Sequence, residues 1–86
     1  MDKKIEVSAY SGYRGEESPR TFFIENEKVD VLDYVNMWME ERETSREQKR
    51  FFKVRGSDGF VHTVYYDLEL MEWFYRGREK DRSKVN

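Results

Sequence analysis

The sequence has no cysteine, a single proline and a single histidine, and it contains no long apolar run. Without cysteine the chain can form neither a disulfide framework nor a thiolate metal site. His62 has no second imidazole to complete a usual zinc site, so an ordinary strand histidine is favoured. Because neither a secretory signal nor a membrane-spanning run is visible, we expect a cytoplasmic protein without a membrane partner.

Signatures of catalysis and of cofactor binding are also missing. Gly12 and Gly15 lack the third glycine of a dinucleotide loop and the Gly-Lys-Ser/Thr of a phosphate loop, so they predict a turn. Adjacent carboxylates such as Glu16 and Glu17 show no sign of lying in a cleft with opposed pKa values, as acid-base catalysis requires. We therefore predict a protein that is not an enzyme and that has no cofactor and no metal.

Aromatic and charged residues, in contrast, are abundant. Phe, Tyr and Trp make up 16% of the 86 residues and charged residues 40%, with a formal net charge of −2. A chain of this length buries only about 60 to 65% of its unfolded surface, so we expect one domain with a core built largely from rings. The near-neutral charge argues against the whole-surface attraction to phosphate that is typical of strongly basic domains.

The strongest structural signal lies in the second half of the chain. Ser57-Asp58-Gly59 separates two runs rich in aromatic and β-branched residues, and Asp-Gly adopts the positive φ values that tight hairpins require. One strand is therefore predicted to end near Arg55 and another to begin at Phe60. A turn over residues 68–72 and a third strand over residues 73–75 complete a meander.

Alternation along the first two of these strands predicts which side chains face the core. Phe52 and Val54 share the inward face of the first strand. In the second strand two sets of residues compete, and we favour Val61 and Thr63 inward. The competing set consists of Phe60, His62, Val64 and Tyr66.

The first half of the chain predicts three more strands. Ile5 to Tyr10 alternates between apolar and polar residues, a loop over residues 11–19 contains the only proline, and a strand over residues 20–25 leads into a turn at Asn26-Glu27. From Lys28 to about Trp38 the spacing favours a strand that bends near Asp33. A helix over residues 32–39 is the main alternative.

Two segments are dominated by charge. Residues 40–50 carry four acidic and four basic side chains and have nothing to bury, so they predict a solvated, mobile connector. The alternative is one helical turn starting at the Thr44-x-x-Glu47 capping-box pattern. Residues 77–86 carry a net charge of +2, and we expect a disordered tail after a single domain that spans residues 1–76.

These elements predict a mainly β fold. We expect a small antiparallel meander of five to six strands, curled into a partial barrel, with the charged connector between strands 3 and 4. Ring side chains, Trp38 and Trp73 above all, are predicted to wedge between successive strands.

The runs SAYSGYRGEESPRTFFIENEKVDVLDYVNMW and FFKVRGSDGFVHTVYYDLELMEWF resemble an uncharacterised family of small prokaryotic cytoplasmic β-domains. More faintly they resemble domains of unknown function found beside Y-family DNA polymerases. The likeness implies a fold and a DNA-related setting, and it carries over no catalytic residue. Residues 40–50 and the tail depart from the pattern. The resemblance is carried by Gly12, Pro19, Val29, Val31, Trp38, Val54, Asp58, Gly59 and Trp73.

One surface is the candidate site. With Phe52 and Val54 facing inward, Phe51, Lys53 and Arg55 are displayed together on the opposite face. Rings interleaved with cations hold single-stranded nucleic acid, although a small sheet also covers both of its faces with rings for packing alone. The neighbouring outward face is expected to hold Tyr10, Tyr13, Arg14, Arg20 and Phe23.

Two function classes remain. The favoured one is a non-catalytic interaction module that binds a protein partner, or a second copy of itself in a homodimer, through this aromatic and charged surface or an open sheet edge. The alternative is a nucleic-acid-binding accessory protein that uses the aromatic and basic strand face.

Overall fold

The computed structural model describes residues 2–11, 17–43 and 47–82, and each described strand pairs antiparallel with the next along the chain. β1 also pairs with β6, so the sheet closes into a barrel. The mainly β prediction is confirmed with six strands, and the closure goes further than a partial barrel. The strands are β1 (Lys3–Ser11), β2 (Glu17–Ile24), β3 (Glu27–Glu41), β4 (Gln48–Gly56), β5 (Phe60–Asp67) and β6 (Glu72–Lys80).

Two tight turns set the register of the hairpins. Between β4 and β5 the Asp-Gly turn forms as predicted, with Gly59 at φ +85° and the Phe60 amide donating to the Asp58 carboxylate at 3.2 Å. Between β2 and β3 the central residues are Glu25 and Asn26, with φ values of 48° and 68°. The turn is therefore one residue earlier than predicted, because two positive φ values give the twist that a two-residue hairpin needs.

β3 is a strand along its whole length, so the alternative helix over residues 32–39 is wrong. Its register with β4 shifts between Val31 and Asp33 and again between Tyr34 and Asn36, close to the predicted bend at Asp33. The strand then continues without a further shift to Glu41.

The predicted connector over residues 40–50 is wrong at its two ends, because β3 extends to Glu41 and β4 begins at Gln48. Opposite charges explain the pairing: Glu40 lies opposite Lys49, and an Arg42–Glu47 ion pair of 3.6 Å follows in the hairpin loop. Thr44, the first residue of the predicted helical turn, lies outside the described residues.

β6 continues four residues beyond the predicted end of the domain at residue 76. Glu79 and Lys80 pair with Val61 and Phe60 of β5, so the start of the predicted disordered tail is a strand. Residues 83–86 lie outside the described part of the chain.

The core is a small cluster of aliphatic and aromatic side chains inside the barrel. Phe52 and Val54 belong to it, which confirms the predicted inward face of β4. In β5 the prediction is wrong: His62 and Val64 are fully buried, and Thr63 is half-buried. The buried members are Ile5, Phe22, Val29, Phe52, Val54, Val64 and Trp73.

His62 turns inward because both ring nitrogens have partners there. Its Nε2 lies 2.9 Å from the Asp58 carboxylate, and its Nδ1 lies 2.8 Å from the Tyr75 hydroxyl. If the neutral ring carries its proton on Nε2, it donates to Asp58 and accepts a hydrogen bond from the Tyr75 hydroxyl at Nδ1. Each ring nitrogen then has a partner, as buried polar atoms require. The chain of three side chains ties the β4–β5 turn to β6.

The two tryptophans differ. Trp73 lies in the core at 8% exposure, as predicted, whereas Trp38 is half-buried on the outer face of β3. Trp38 packs against the neighbouring strand, where it lies opposite Phe51 and not opposite the core residue Phe52. In the described residues no helix has the length and apolar character needed to cross a membrane.

Candidate functional site

Phe51 lies on the outer face of β4, as predicted, but its side chain is not exposed to solvent. The side chain is 0% exposed. Trp38 stacks on its ring at a centroid distance of 5.1 Å and an interplanar angle of 8°, and the Tyr65 ring lies 4.7 Å away. The Arg76 guanidinium covers it at 4.5 Å. Phe51 is therefore a packing residue, and its place in the predicted binding surface is wrong.

These rings form an aromatic ladder across the outside of the barrel. Trp38, Phe51, Tyr65 and Phe74 are direct cross-strand neighbours on β3, β4, β5 and β6. Cross-strand ring pairs stabilise a sheet on the face where they lie. The ladder therefore links β3, β4, β5 and β6 on the outer face of the barrel. Its two central rings, Phe51 and Tyr65, are buried.

Lys53 and Arg55 do lie on the outer face, but acidic side chains neutralise them. Lys53 Nζ lies 2.7 Å from Glu79 Oε1, and this hydrogen bond lowers the pKa of Glu79. Arg55 lies 3.3 Å from Asp33 and 2.9 Å from Asp81. Both cations are therefore already ion-paired with carboxylates of the same chain.

The second group of predicted residues does not join the first. Arg20 and Phe23 are exposed on β2 and line a shallow pocket with Lys28. Phe23 lies opposite Lys28 whereas Phe51 lies opposite Trp38, ten positions further along β3, or roughly 30 Å away. Tyr13, Arg14 and the side chain of Tyr10 lie outside the described part of the structure.

A group of exposed apolar side chains lies on β3, in the distal segment of residues 31–41. The ladder between β2 and β3 ends at Asp30, so in the described part of the chain only β4 pairs with the distal segment. The other edge of the distal segment therefore has no neighbouring strand among residues 2–11, 17–43 and 47–82. Large apolar side chains crowd this edge: Leu32, Val35, Met37 and Met39 are 61%, 47%, 59% and 41% exposed.

Two side-chain hydrogen bonds mark the region where β2 and β3 separate. The Tyr34 hydroxyl donates to the Pro19 carbonyl at 2.7 Å, reaching across to β2. Further along, the Met37 amide donates to Asn36 Oδ1 at 2.9 Å. The Met37 amide thus takes a partner from its own strand, which is what an amide does where no second strand supplies a carbonyl.

The distal segment is flanked by negative charge. β3 contains five acidic residues and one lysine, and within residues 31–41 the acidic residues are Asp33, Glu40 and Glu41, with no lysine or arginine. Glu40 Oε2 accepts from the Trp38 indole at 3.0 Å, and Arg76 lies 3.9 Å away. Glu41 accepts from the Gln48 amide at 3.4 Å. Between Tyr34 and Met39 no residue is charged.

The hydrogen-bonded chain of Asp58, His62 and Tyr75 resembles a proton relay. His62 is 0% exposed, so a substrate in solvent does not reach its ring. Burial, before any other effect, raises the pKa of Tyr75, which keeps the hydroxyl protonated. In the described part of the chain no cluster of three acidic or histidine side chains is placed to hold a metal ion.

The unpaired edge was detectable in the sequence from the predicted strand lengths. A strand of residues 20–25 cannot cover a neighbour that runs from Lys28 to Trp38, so an overhang of β3 was implied. The apolar residues at 35, 37 and 39 lie on that overhang. Sequence reasoning assigned the surface to β4 because rings and cations alternate there.

Comparison of the chain with protein-family models, with curated proteins and with solved structures gave no match. The resemblance to small prokaryotic β-domains and to domains beside Y-family polymerases stays a prediction. Functional inference therefore depends on the geometry of the molecule itself.

Proposed function

We propose that the protein is a non-catalytic interaction module that binds a protein partner through the distal segment of β3. One observation carries the proposal: among the described residues only β4 pairs with residues 31–41, and Leu32, Val35, Met37 and Met39 are exposed there. Sheet edges usually carry lysine, proline or inward charges that prevent pairing with other chains. Between Tyr34 and Met39 none of these is present.

The apolar area is large enough to support binding. Fully burying one such side chain contributes about 1.5 to 3 kcal/mol, and these four begin 41 to 61% exposed. Covering them contributes about 1 kcal/mol each, before the entropic cost of association. Main-chain hydrogen bonds along the edge add to this and fix the direction of the partner.

The nucleic-acid alternative has weaker support. Stacking surfaces for single strands need accessible rings beside uncommitted cations. Phe51 is buried, Lys53 is paired with Glu79, and Arg55 is paired with Asp33 and Asp81. The observations therefore favour a protein partner.

The proposal also includes a non-catalytic role and a cytoplasmic location. The closed position of His62 supports a binding role over a catalytic one. The cytoplasmic location expected from the sequence stays part of the proposal, in agreement with a chain that has no cysteine.

Site-specific cross-linking tests the proposal. A photoreactive amino acid is placed at Met37, and in a matched protein at Glu6, an exposed position on β1. In extract of the source organism we expect a discrete cross-linked product from position 37 only. The captured protein is then identified, purified and titrated with the unmodified chain.

The purified pair gives the decisive result. We expect the double variant Val35→Lys/Met37→Lys to bind the captured protein at least about tenfold more weakly, since lysine at an edge opposes burial. Leu70→Lys, an equally exposed apolar position in the β5–β6 turn, is the control and leaves binding unchanged. Equal binding by wild type and double variant overturns the proposal.

A further inference from the structure

We infer that the occupant of the distal segment is an extended segment of another protein, which adds to the sheet beside β3 and alternates apolar residues with Lys or Arg. This inference rests on the proposed function and adds the chemical class of the partner. Three features of the segment lead to it: its regular register, the alternation of its two faces, and its charge.

Register limits where a strand can add. The pairing of β3 with β4 shifts at two places before Asn36 and is regular from Asn36 to Glu41. A bulged edge does not support a continuous ladder, whereas a regular stretch of six residues does. We therefore place the added strand along residues 36–41, over a length of roughly 20 Å.

The edge can exchange its present hydrogen bond for a ladder. The Met37 amide donates to Asn36 Oδ1, and both residues are exposed. Exchanging one exposed hydrogen bond for another costs about 1 kcal/mol at most. A carbonyl on the added strand therefore replaces the Asn36 side chain at little cost.

The two faces of the edge require different side chains from the partner. Met37 and Met39 lie on the face that carries Phe52, so the residues that cross them are best apolar. Trp38 and Glu40 lie on the opposite face, where a Lys or Arg stacks on the indole and pairs with the carboxylate. A strand with apolar residues at alternate positions and basic residues between them meets both requirements.

Charge separates this occupant from a second copy of the chain. Residues 36–41 carry two carboxylates, Glu40 and Glu41, and no basic residue, so two copies of this edge offer each other no opposite charge. A basic segment instead offers a cation to Glu41, whose contact is the neutral Gln48 amide, and adds to the 3.9 Å contact between Arg76 and Glu40. Charge complementarity therefore favours a different protein over a homodimer.

Synthetic peptides test the inference directly. The probe is a fluorescent seven-residue peptide of alternating Val and Lys, with blocked ends. The matched peptides are one with the same residues grouped into a Val block and a Lys block, one with Glu in place of Lys, and one N-methylated at two successive amides. Successive amides of a strand point to opposite edges, so this methylation prevents ladder formation on either side.

We expect the alternating probe to bind and to protect the amides of residues 36–41 from hydrogen exchange. The N-methylated peptide is expected to bind at least about tenfold more weakly, and the grouped and acidic peptides likewise. Binding of the probe also weakens as salt increases, since part of it is ionic. Equal affinity of the N-methylated and unmodified probes overturns the strand-addition inference.

Failure of the inference is distinct from failure of the proposed function. If the captured partner depends on Val35 and Met37 but the alternating probe does not bind, the site is correct and the assigned partner chemistry is wrong. If sedimentation shows a dimer that the double variant abolishes and the probe does not compete with, the occupant is a second copy and the inference is overturned. A partner that binds the double variant normally contradicts the proposed function itself.

Discussion

Both segments of β3 contain valine, but the surroundings of the valines differ. In the proximal segment, residues 27–30, Val29 is 2% exposed between β2 and the core. In the distal segment, Val35 is 47% exposed and Met37 is 59% exposed, with β4 as the only neighbouring strand in the described part of the chain. In β3 the buried valine therefore lies where β2 is paired, and the exposed apolar residues lie beyond that pairing.

Introducing a charge at one position in each segment should give the largest difference in stability between the two segments. Val29→Asp places a carboxylate in the core without a partner, and we expect it to lower the free energy of unfolding by about 4 kcal/mol or more. Val35→Asp, in the exposed segment, should change it by no more than about 0.5 kcal/mol. Urea unfolding followed by tryptophan fluorescence measures both, and similar losses at the two sites would contradict the comparison.

Gly56 tests how tightly the proximal segment is packed. A Cβ at this position would lie 2.7 Å from Val29 Cγ1 and 2.9 Å from His62 Cδ2. Because both neighbours are buried, we expect Gly56→Ala to destabilise the barrel by about 2 kcal/mol. Gly77→Ala is the control, since nothing lies within 4 Å of a Cβ there. Thermal unfolding that is unchanged in Gly56→Ala would show that the core can move aside.

Trp38 tests what holds the distal segment against the sheet. Its ring stacks on Phe51, and removing it takes away the cover of a fully buried side chain. We expect Trp38→Ala to lower the free energy of unfolding by about 1 to 2 kcal/mol. Amide exchange of residues 36–41 should accelerate while that of residues 27–30 stays slow. Uniform acceleration would mean that the two segments open together.

Alkaline pH should destabilise the aromatic ladder, to which Tyr65 belongs. Burial, followed by a 2.7 Å hydrogen bond to Asp2, raises the pKa of Tyr65. The folded state then keeps a proton that the unfolded state releases, so this stability is full below about pH 10 and is lost as pH rises further, by up to about 1.4 kcal/mol per pH unit. Unfolding measured from pH 8 to 11 should show a shallower decline in Tyr65→Phe, and an identical slope would contradict this.

The smallest expected effect concerns the hydrogen bond between the Met37 amide and the Asn36 side chain. Asn36→Ala removes the acceptor of the Met37 amide. We expect the free energy of unfolding to change by less than about 0.5 kcal/mol, and the Met37 amide to exchange about fivefold faster, as loss of a hydrogen bond worth about 1 kcal/mol implies. Unchanged exchange at Met37 would show that another group protects it.

The sequence predicted the parts of this fold that depend on local chemistry. The Asp58-Gly59 turn and the inward face of Phe52 and Val54 follow from backbone preference and simple alternation. His62 was misplaced because its partner Tyr75 lies on another strand, and neither spacing nor propensity shows such a pair. Tertiary contacts between strands decide the facing of a residue that can satisfy its polar atoms in either direction.

The candidate site was predicted less well for a related reason. Phe51, Lys53 and Arg55 were correctly assigned to the outer face, but the groups that cover them come from other strands. Whether an outward residue is accessible depends on those groups. The distal segment of β3 was predicted as a strand, yet its missing neighbour is a property of the whole sheet.

Closure of the barrel through β1 has a consequence for biosynthesis. The first strand meets the last through only three paired positions, Lys3 to Ile5 against Trp73 to Tyr75. While the chain is being translated, β1 has no β6 to pair with, so the barrel cannot close until β6 has left the ribosome. Such sequence-distant pairing slows folding and exposes nascent strands to aggregation. Slow translation would therefore give chaperones more time at β1, and removing the first five residues should trap the chain as an open, aggregation-prone sheet.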